Sequence, residues 1–203
     1  PENLARLSEI QQEHLKSVRP ELGQETDPEL PLIINLAYNV HGNEPSSSEA
    51  ALLTAYTLTG SNHPEVLNYL KHAVIFIDPT INPDGRDRHT QWANTYKGTP
   101  LVADPQDAEH NEYWPGGRTN HYWFDLNRDW VWQTQKETQQ RLKFYRSWMP
   151  MMHADFHEQS FQHSYYFPPA AKPYLNFIST STKDLQTSVG KSFATLFDQQ
   201  KWP

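Results

Sequence analysis

The chain has 203 residues, 17 Lys and Arg against 24 Asp and Glu, a formal net charge of -7, a pI near 5.8 and a mean hydropathy of -0.81. That acidic balance offers no basic surface for nucleic acid, and no apolar run approaches the roughly 20 residues that span a bilayer. The absence of cysteine excludes thiolate metal sites, disulfides and cysteine nucleophiles together, while 13% aromatic residues supply a core and argue against disorder.

In chain order, Leu4, Leu7, Ile10, Leu15 and Val18 recur at helical spacing and predict an amphipathic helix over Asn3–Val18, stopped by Pro20. Glu21–Pro31 reads as a polar surface loop. Leu32–Tyr38 is apolar on both faces, the pattern of a central strand covered on each side. Ser46–Glu49 has the form of a capping box, with Pro45 before it, and opens an apolar helix that Gly60 ends. A short helix over Glu65–His72 and a second buried strand over Ala73–Ile77 follow. Strand, helix, strand implies a right-handed crossover and a largely parallel sheet.

Asn82-Pro83-Asp84-Gly85 reads as a tight turn. From Arg86 to His121 the pattern predicts a long ordered loop, its Trp92, Tyr96, Tyr113 and Trp114 packed over a site. Tyr122–Trp130 reads as a short aromatic strand or turn, Gln135–Trp148 as a helix and Met151–His157 as a strand. Ser164–Phe167 reads as another strand, closed by Pro168-Pro169, and Leu185–Gln200 as a final helix. The fold class is therefore α/β, a mixed, largely parallel twisted sheet flanked by helices. Both ends of the chain read as cut, so residues 1–203 are expected to be a single partial domain excised from a longer protein.

His41 and Glu44 stand three residues apart at the carboxyl end of the first strand, where open α/β sheets keep their sites. Imidazole nitrogen and carboxylate oxygen are zinc ligands, and a catalytic zinc takes three protein ligands plus an open position. The third must come from another strand and reach the same end of the sheet. His153 and His157 both qualify, and His157 lies nearer the strand end.

In order and spacing the chain resembles the zinc carboxypeptidase family. Here H-x-x-E is His41 to Glu44, N-P-D-G is Asn82 to Gly85, the N-R pair is Asn127-Arg128, and the strand-closing His is His157. The resemblance runs from about Leu32 to Pro169. It is nearest to the branch with H-G-N-E-P and D-L-N-R-D, which is bacterial and often exported, so a periplasmic or extracellular location after signal-peptide removal is implied. It also implies that His41, Glu44 and His157 hold one Zn2+ per chain, and that Asp125 accepts a hydrogen bond from the first zinc histidine and fixes its tautomer. Asn127 and Arg128 then grip the C-terminal carboxylate of a peptide substrate, a task suited to a planar guanidinium. The plainer reading of Arg128 is a solvated charge or an ion pair with Asp129, which the aromatic neighbours Trp123, Phe124 and Trp130 disfavour.

The chain departs from the family in three places. Asn43 stands where the family commonly has Arg, and the Arg that polarises the scissile carbonyl is left among Arg86, Arg88 and Lys97. The family's general-base Glu lies well downstream of the last ligand, yet no Glu occurs after Glu158, so the base is expected beyond Pro203. The expected activity is hydrolysis of C-terminal peptide bonds by metal-activated water. Two alternatives stand beside it: an N-acyl amino acid deacylase with the same ligand pattern, and a catalytically incomplete metal- or peptide-binding module.

Overall fold

Strand β1, Leu32–Tyr38, lies between β2, Ala73–Asp78, and β3, Met152–Phe156, and both neighbours run parallel to it. The register pairs Ile33 with Val74, and Ala37 with both Asp78 and Asp155. The computed structural model describes residues 2–19, 27–160 and 163–202, which fall into two units, Pro1–Glu158 and Gln159–Pro203. Pro20 and residues 21–26, read above as a helix stop and the start of a loop, lie outside the described residues.

In the first unit the N-terminal helix is interrupted at Arg6, giving α1, Glu2–Ala5, and α2, Leu7–Val18. Asn3 donates to the carbonyls of Leu70 and Ala73 at 2.9 and 3.2 Å, which fixes the first turn to the start of β2. Ile10 of α2 meets Ile33, Val74 and Trp148 in a cluster that closes the amino-terminal half of one sheet face. Trp148 ends α6, Lys136–Trp148. Helices α3, Pro45–Gly60, and α4, Pro64–His72, complete the crossover from β1 to β2, and Tyr38 on the opposite face donates to Thr54 of α3 at 3.2 Å.

The face under α6 changes character along the strands. Alternation places Ile33, Asn35 and Ala37 of β1 on it, beside Val74, Phe76 and Asp78 of β2 and beside His153 and Asp155 of β3. It is apolar at Ile33, mixed at Asn35 and charged at Ala37. Hydrophobic burial therefore anchors one end of the sheet and leaves the carboxyl end free for polar chemistry. Among the described residues no helix is long and apolar enough to cross a membrane.

Two predicted elements are replaced. Asn82-Pro83-Asp84-Gly85 is the first turn of a helix, α5, Pro83–Tyr96. Asn82 caps it by accepting from the Gly85 amide at 2.9 Å, and Pro83 occupies the first helical position. The irregular segment thus starts after Tyr96, not at Arg86. In the second unit, Ser164–Phe167 forms no strand among the described residues. Its Tyr165 and Phe167 rings pack instead on Phe197 of α7, Thr180–Gln200, at centroid distances of 4.5 and 5.0 Å.

Candidate metal centre

β1 ends in a sharp corner. Asn39 is fully buried and left-handed, with φ +57°, a conformation that Asn tolerates better than most residues. Its side-chain amide donates to the carbonyls of His41 (2.9 Å) and Glu44 (3.0 Å), so one buried residue staples the loop between strand and helix. The expected capping box does not form. Ser47 accepts from the Asn39 amide at 2.8 Å and Glu49 pairs with Arg86 at 2.9 Å. The start of α3 is capped across the sheet by Glu158, whose carboxylate accepts from the amide and hydroxyl of Ser46.

Glu44 is the meeting point. Its Oε1 lies 2.7 Å from His41 Nδ1 and its Oε2 lies 3.1 Å from His157 Nδ1. The backbone amide of Glu158 donates to the same Oε2 at 3.0 Å. The two imidazoles are 5.1 Å apart between centroids, and one donor atom from each of His41, Glu44 and His157 lies within 4.8 Å of the others. Each ring also has a carboxylate at its far edge: His41 Nε2 is 3.2 Å from Asp125 Oδ1, and His157 Nε2 is 3.2 Å from Asp155 Oδ2. Two nitrogens and a carboxylate oxygen, with both imidazoles turned by acceptors behind them, fit the chemistry of a zinc site.

Burial alone would raise the Glu44 carboxyl, but hydrogen bonds from His157, His41 and the Glu158 amide outweigh it and hold it at about 2. Contacts with Asp155 and Glu44 push His157 up to about 9. In metal-free protein the His157 contribution is complete below its ordinary 6.5 and is lost as pH rises through 9. The Glu44 contribution is complete above its ordinary 4.5 and is lost as pH falls through 2. Metal-free protein should therefore be most stable between roughly pH 4.5 and 6.5. Thermal midpoints should fall from pH 7 to 9, with a shallower slope in His157→Ala; a flat profile in the parent would contradict this charge pattern.

The other residues read from the sequence divide sharply. Asp125 accepts from Arg118 at 2.8 Å and from the Asn127 amide at 2.9 Å, opening a single 3-10 turn, Leu126–Arg128. Leu126 is buried against Ala37, Val40 and Ile81, and Asp129 is buried behind it, accepting from Thr134 and the Gln135 amide. Asp129 is thus no ion-pair partner of Arg128, which stays exposed and, among the described residues, donates to the Asn127 carbonyl alone, at 3.3 Å. The aromatics expected around Arg128 hold other guanidinium groups: Trp123 lies under Arg88 at 4.8 Å and Trp130 under Arg141 at 4.2 Å. His153 stays on β3, 2.8 Å from Asn35, outside the trio.

None of the three candidates for the carbonyl-polarising cation is free at the trio. Arg86 pairs with Glu49, Arg88 donates to the carbonyls of Gly116, Thr119 and Asn120, and Lys97 closes α5 at the surface. Asn43 binds Glu112 at 2.8 Å. Arg118 is the cation beside the site, and the sequence reading missed it. Its only signal was a position seven residues before Asp125.

Three glycines let these loops close on one another. A Cβ on Gly42 would lie 2.1 Å from the Arg86 amide nitrogen, and one on Gly85 would lie 2.2 Å from the Gly117 carbonyl oxygen. The glycine of N-P-D-G thus serves backbone-to-backbone contact, which brings α5 and the 112–118 segment against the His41 loop.

Residues 23–194 match the zinc carboxypeptidase family. The chain belongs to the zinc carboxypeptidase family. As such it is also 35% identical, over 107 residues, to a carboxypeptidase E of Caenorhabditis elegans. The aligned part is 51% of this chain but 19% of that relative's length. No solved structure matches the chain. The observed sheet flanked by helices, with the His/Glu/His group at the carboxyl ends of its strands, is consistent with a zinc carboxypeptidase-like fold.

Proposed function

We propose that this zinc carboxypeptidase domain binds one Zn2+ through His41, Glu44 and His157 and acts on peptides with a free C-terminal carboxylate. The observation that supports this most directly is the convergence of both Nδ1 atoms on the two oxygens of one partly buried carboxylate. A zinc ion held there supplies Lewis acidity for carbonyl and water activation. Asp125 keeps the Nε2 edge of His41 engaged, so its Nδ1 faces inward. Arg128, exposed on the turn that follows Asp125, takes the substrate carboxylate with Asn127 beside it. Arg118 is half-exposed and held on one side by Asp125, so it takes the carbonyl oxygen in place of Arg86, Arg88 or Lys97. The exported location belongs to the same reading.

Alanine at Arg128 removes a charge-assisted contact worth about 1.5–3 kcal/mol. Peptides with a free C-terminus should then bind about 10–100-fold more weakly, while amidated peptides are spared. Affinities for paired free and amidated peptides check this, and equal losses on both would remove the assigned role.

A second reading has one observation in its favour. Glu158 is the last Glu in the sequence, and its carboxylate is occupied at Ser46, so it is not free to act as a general base. On that reading the chain by itself binds metal and peptide without turnover. Metal content measured beside peptide hydrolysis separates the two, and a parallel panel of N-acyl amino acids tests the deacylase alternative.

A further inference from the structure

The second imidazole of the trio has a support of its own, on the opposite side from Asp125. His157 Nε2 lies 3.2 Å from Asp155 Oδ2. Asp155 sits on β3 in register with Ala37, so its backbone is fixed by the sheet and its side chain is on the face under α6. Across Ala37 on the same face is Asp78. Arg141 of α6 reaches this face, its Nε 3.7 Å from Asp78 Oδ2 and its guanidinium over the Trp130 ring at 4.2 Å. Among the described residues, Arg141 Nη2 and Asp155 Oδ1 are both buried without a hydrogen-bond partner. A donor and an acceptor of opposite charge, each buried on one sheet face, are complementary groups. The two imidazoles are therefore treated alike. Each turns Nδ1 to Glu44 and Nε2 to a carboxylate; Arg118 pairs with Asp125 at 2.8 Å, whereas the Arg141 charge acts on Asp155 at longer range.

We propose that Asp155 is the positioning residue of His157, and that Arg141, clamped by Trp130 and Asp78, aims it, so that helix α6 sets the geometry of the metal centre from beneath the sheet. This rests on the reading that His41, Glu44 and His157 hold zinc. Outer carboxylates of this kind typically change metal affinity 10–100-fold. Asp155 is rigid because it lies on a strand, whereas Asp125 lies on a loop. A fixed carboxylate selects one ring orientation of His157, which otherwise follows β3 as a half-exposed side chain.

The test is zinc affinity, by competition with a chromophoric chelator, for the parent chain, His41→Ala, Asp155→Asn and Arg141→Gln. Asp155→Asn keeps the side-chain shape and should weaken zinc about 10–100-fold. Its metal-free thermal midpoint should fall modestly at neutral pH, because the Asp155–His157 contact is lost, and the rise on adding zinc should shrink in addition. A purely structural role would lower both midpoints equally. The visible spectrum of the Co2+-loaded variant should shift, because the ring of one ligand is freed to rotate. Arg141→Gln should give a smaller loss that Arg141→Lys partly restores, which keeps the idea testable if Asp155→Asn fails to fold. Parent-level zinc affinity in Asp155→Asn, in a protein whose zinc is abolished by His41→Ala, overturns the positioning role alone. A parent chain that takes up no zinc overturns the ligand reading and this proposal together.

Discussion

Alanine at Glu44 is expected to abolish stoichiometric zinc binding. Among the described residues Glu44 is the one carboxylate that meets both His41 and His157, so its loss removes a ligand and the tie that draws the other two together. Zinc held by folded peptides is worth about 10–16 kcal/mol, and a one-third share corresponds to a loss on the order of 10^3-fold. Glu44→Gln should fall between, since it keeps an oxygen but not the charge that both imidazoles meet. Metal content after dialysis, with chelator competition on the same samples, reads the effect. A Glu44→Ala protein that retains one zinc at parental affinity would remove the trio as the metal centre.

Gly85→Ala is the second large effect. The added methyl would lie 2.2 Å from the Gly117 carbonyl oxygen and 2.6 Å from Asn82 Nδ2. The first is backbone and cannot swing aside, and the second belongs to the cap of α5. Overpacking with loss of a cap should cost about 2–4 kcal/mol. It should also part α5 from the His41 loop, so zinc affinity falls with stability. Gly60→Ala is the control: its nearest neighbour is the Tyr56 ring at 3.9 Å, and its effect should stay within about 1 kcal/mol. Denaturant midpoints compare the two, and similar values would show that the close approach at Gly85 is not needed.

Much of the layout was readable because hydrophobic patterning dominates where strands are buried. Leu32–Tyr38 is an apolar run with no competing signal, and it forms the central strand over the expected residues. His157, preferred over His153 for lying nearer the end of its strand, is the histidine that meets Glu44, while His153 is taken by Asn35. Helix α5 was missed because Asn-Pro-Asp-Gly carries turn chemistry and helix-start chemistry alike. The helix that follows is polar, and Gly85 is its sole buried residue, so periodicity could not decide. The capping box failed for another reason: Ser47 is taken by the Asn39 amide and Glu49 by Arg86, and Glu158 supplies the cap from the end of the neighbouring strand. Local rules cannot foresee that competition. Arg118 was invisible on the same grounds, since its pairing with Asp125 depends on how a loop folds back over seven residues.

The mutual approach of Gly42, Gly85 and Gly117 sets the order in which this region can mature. These contacts join stretches that are distant along the polymer, and each bears on main-chain atoms. Long loops must close before such contacts reward the chain. His41 and Glu44 therefore reach their final posture only after the intervening segments have docked, and the affinity of the centre for its ion is acquired late, as a property of the consolidated fold.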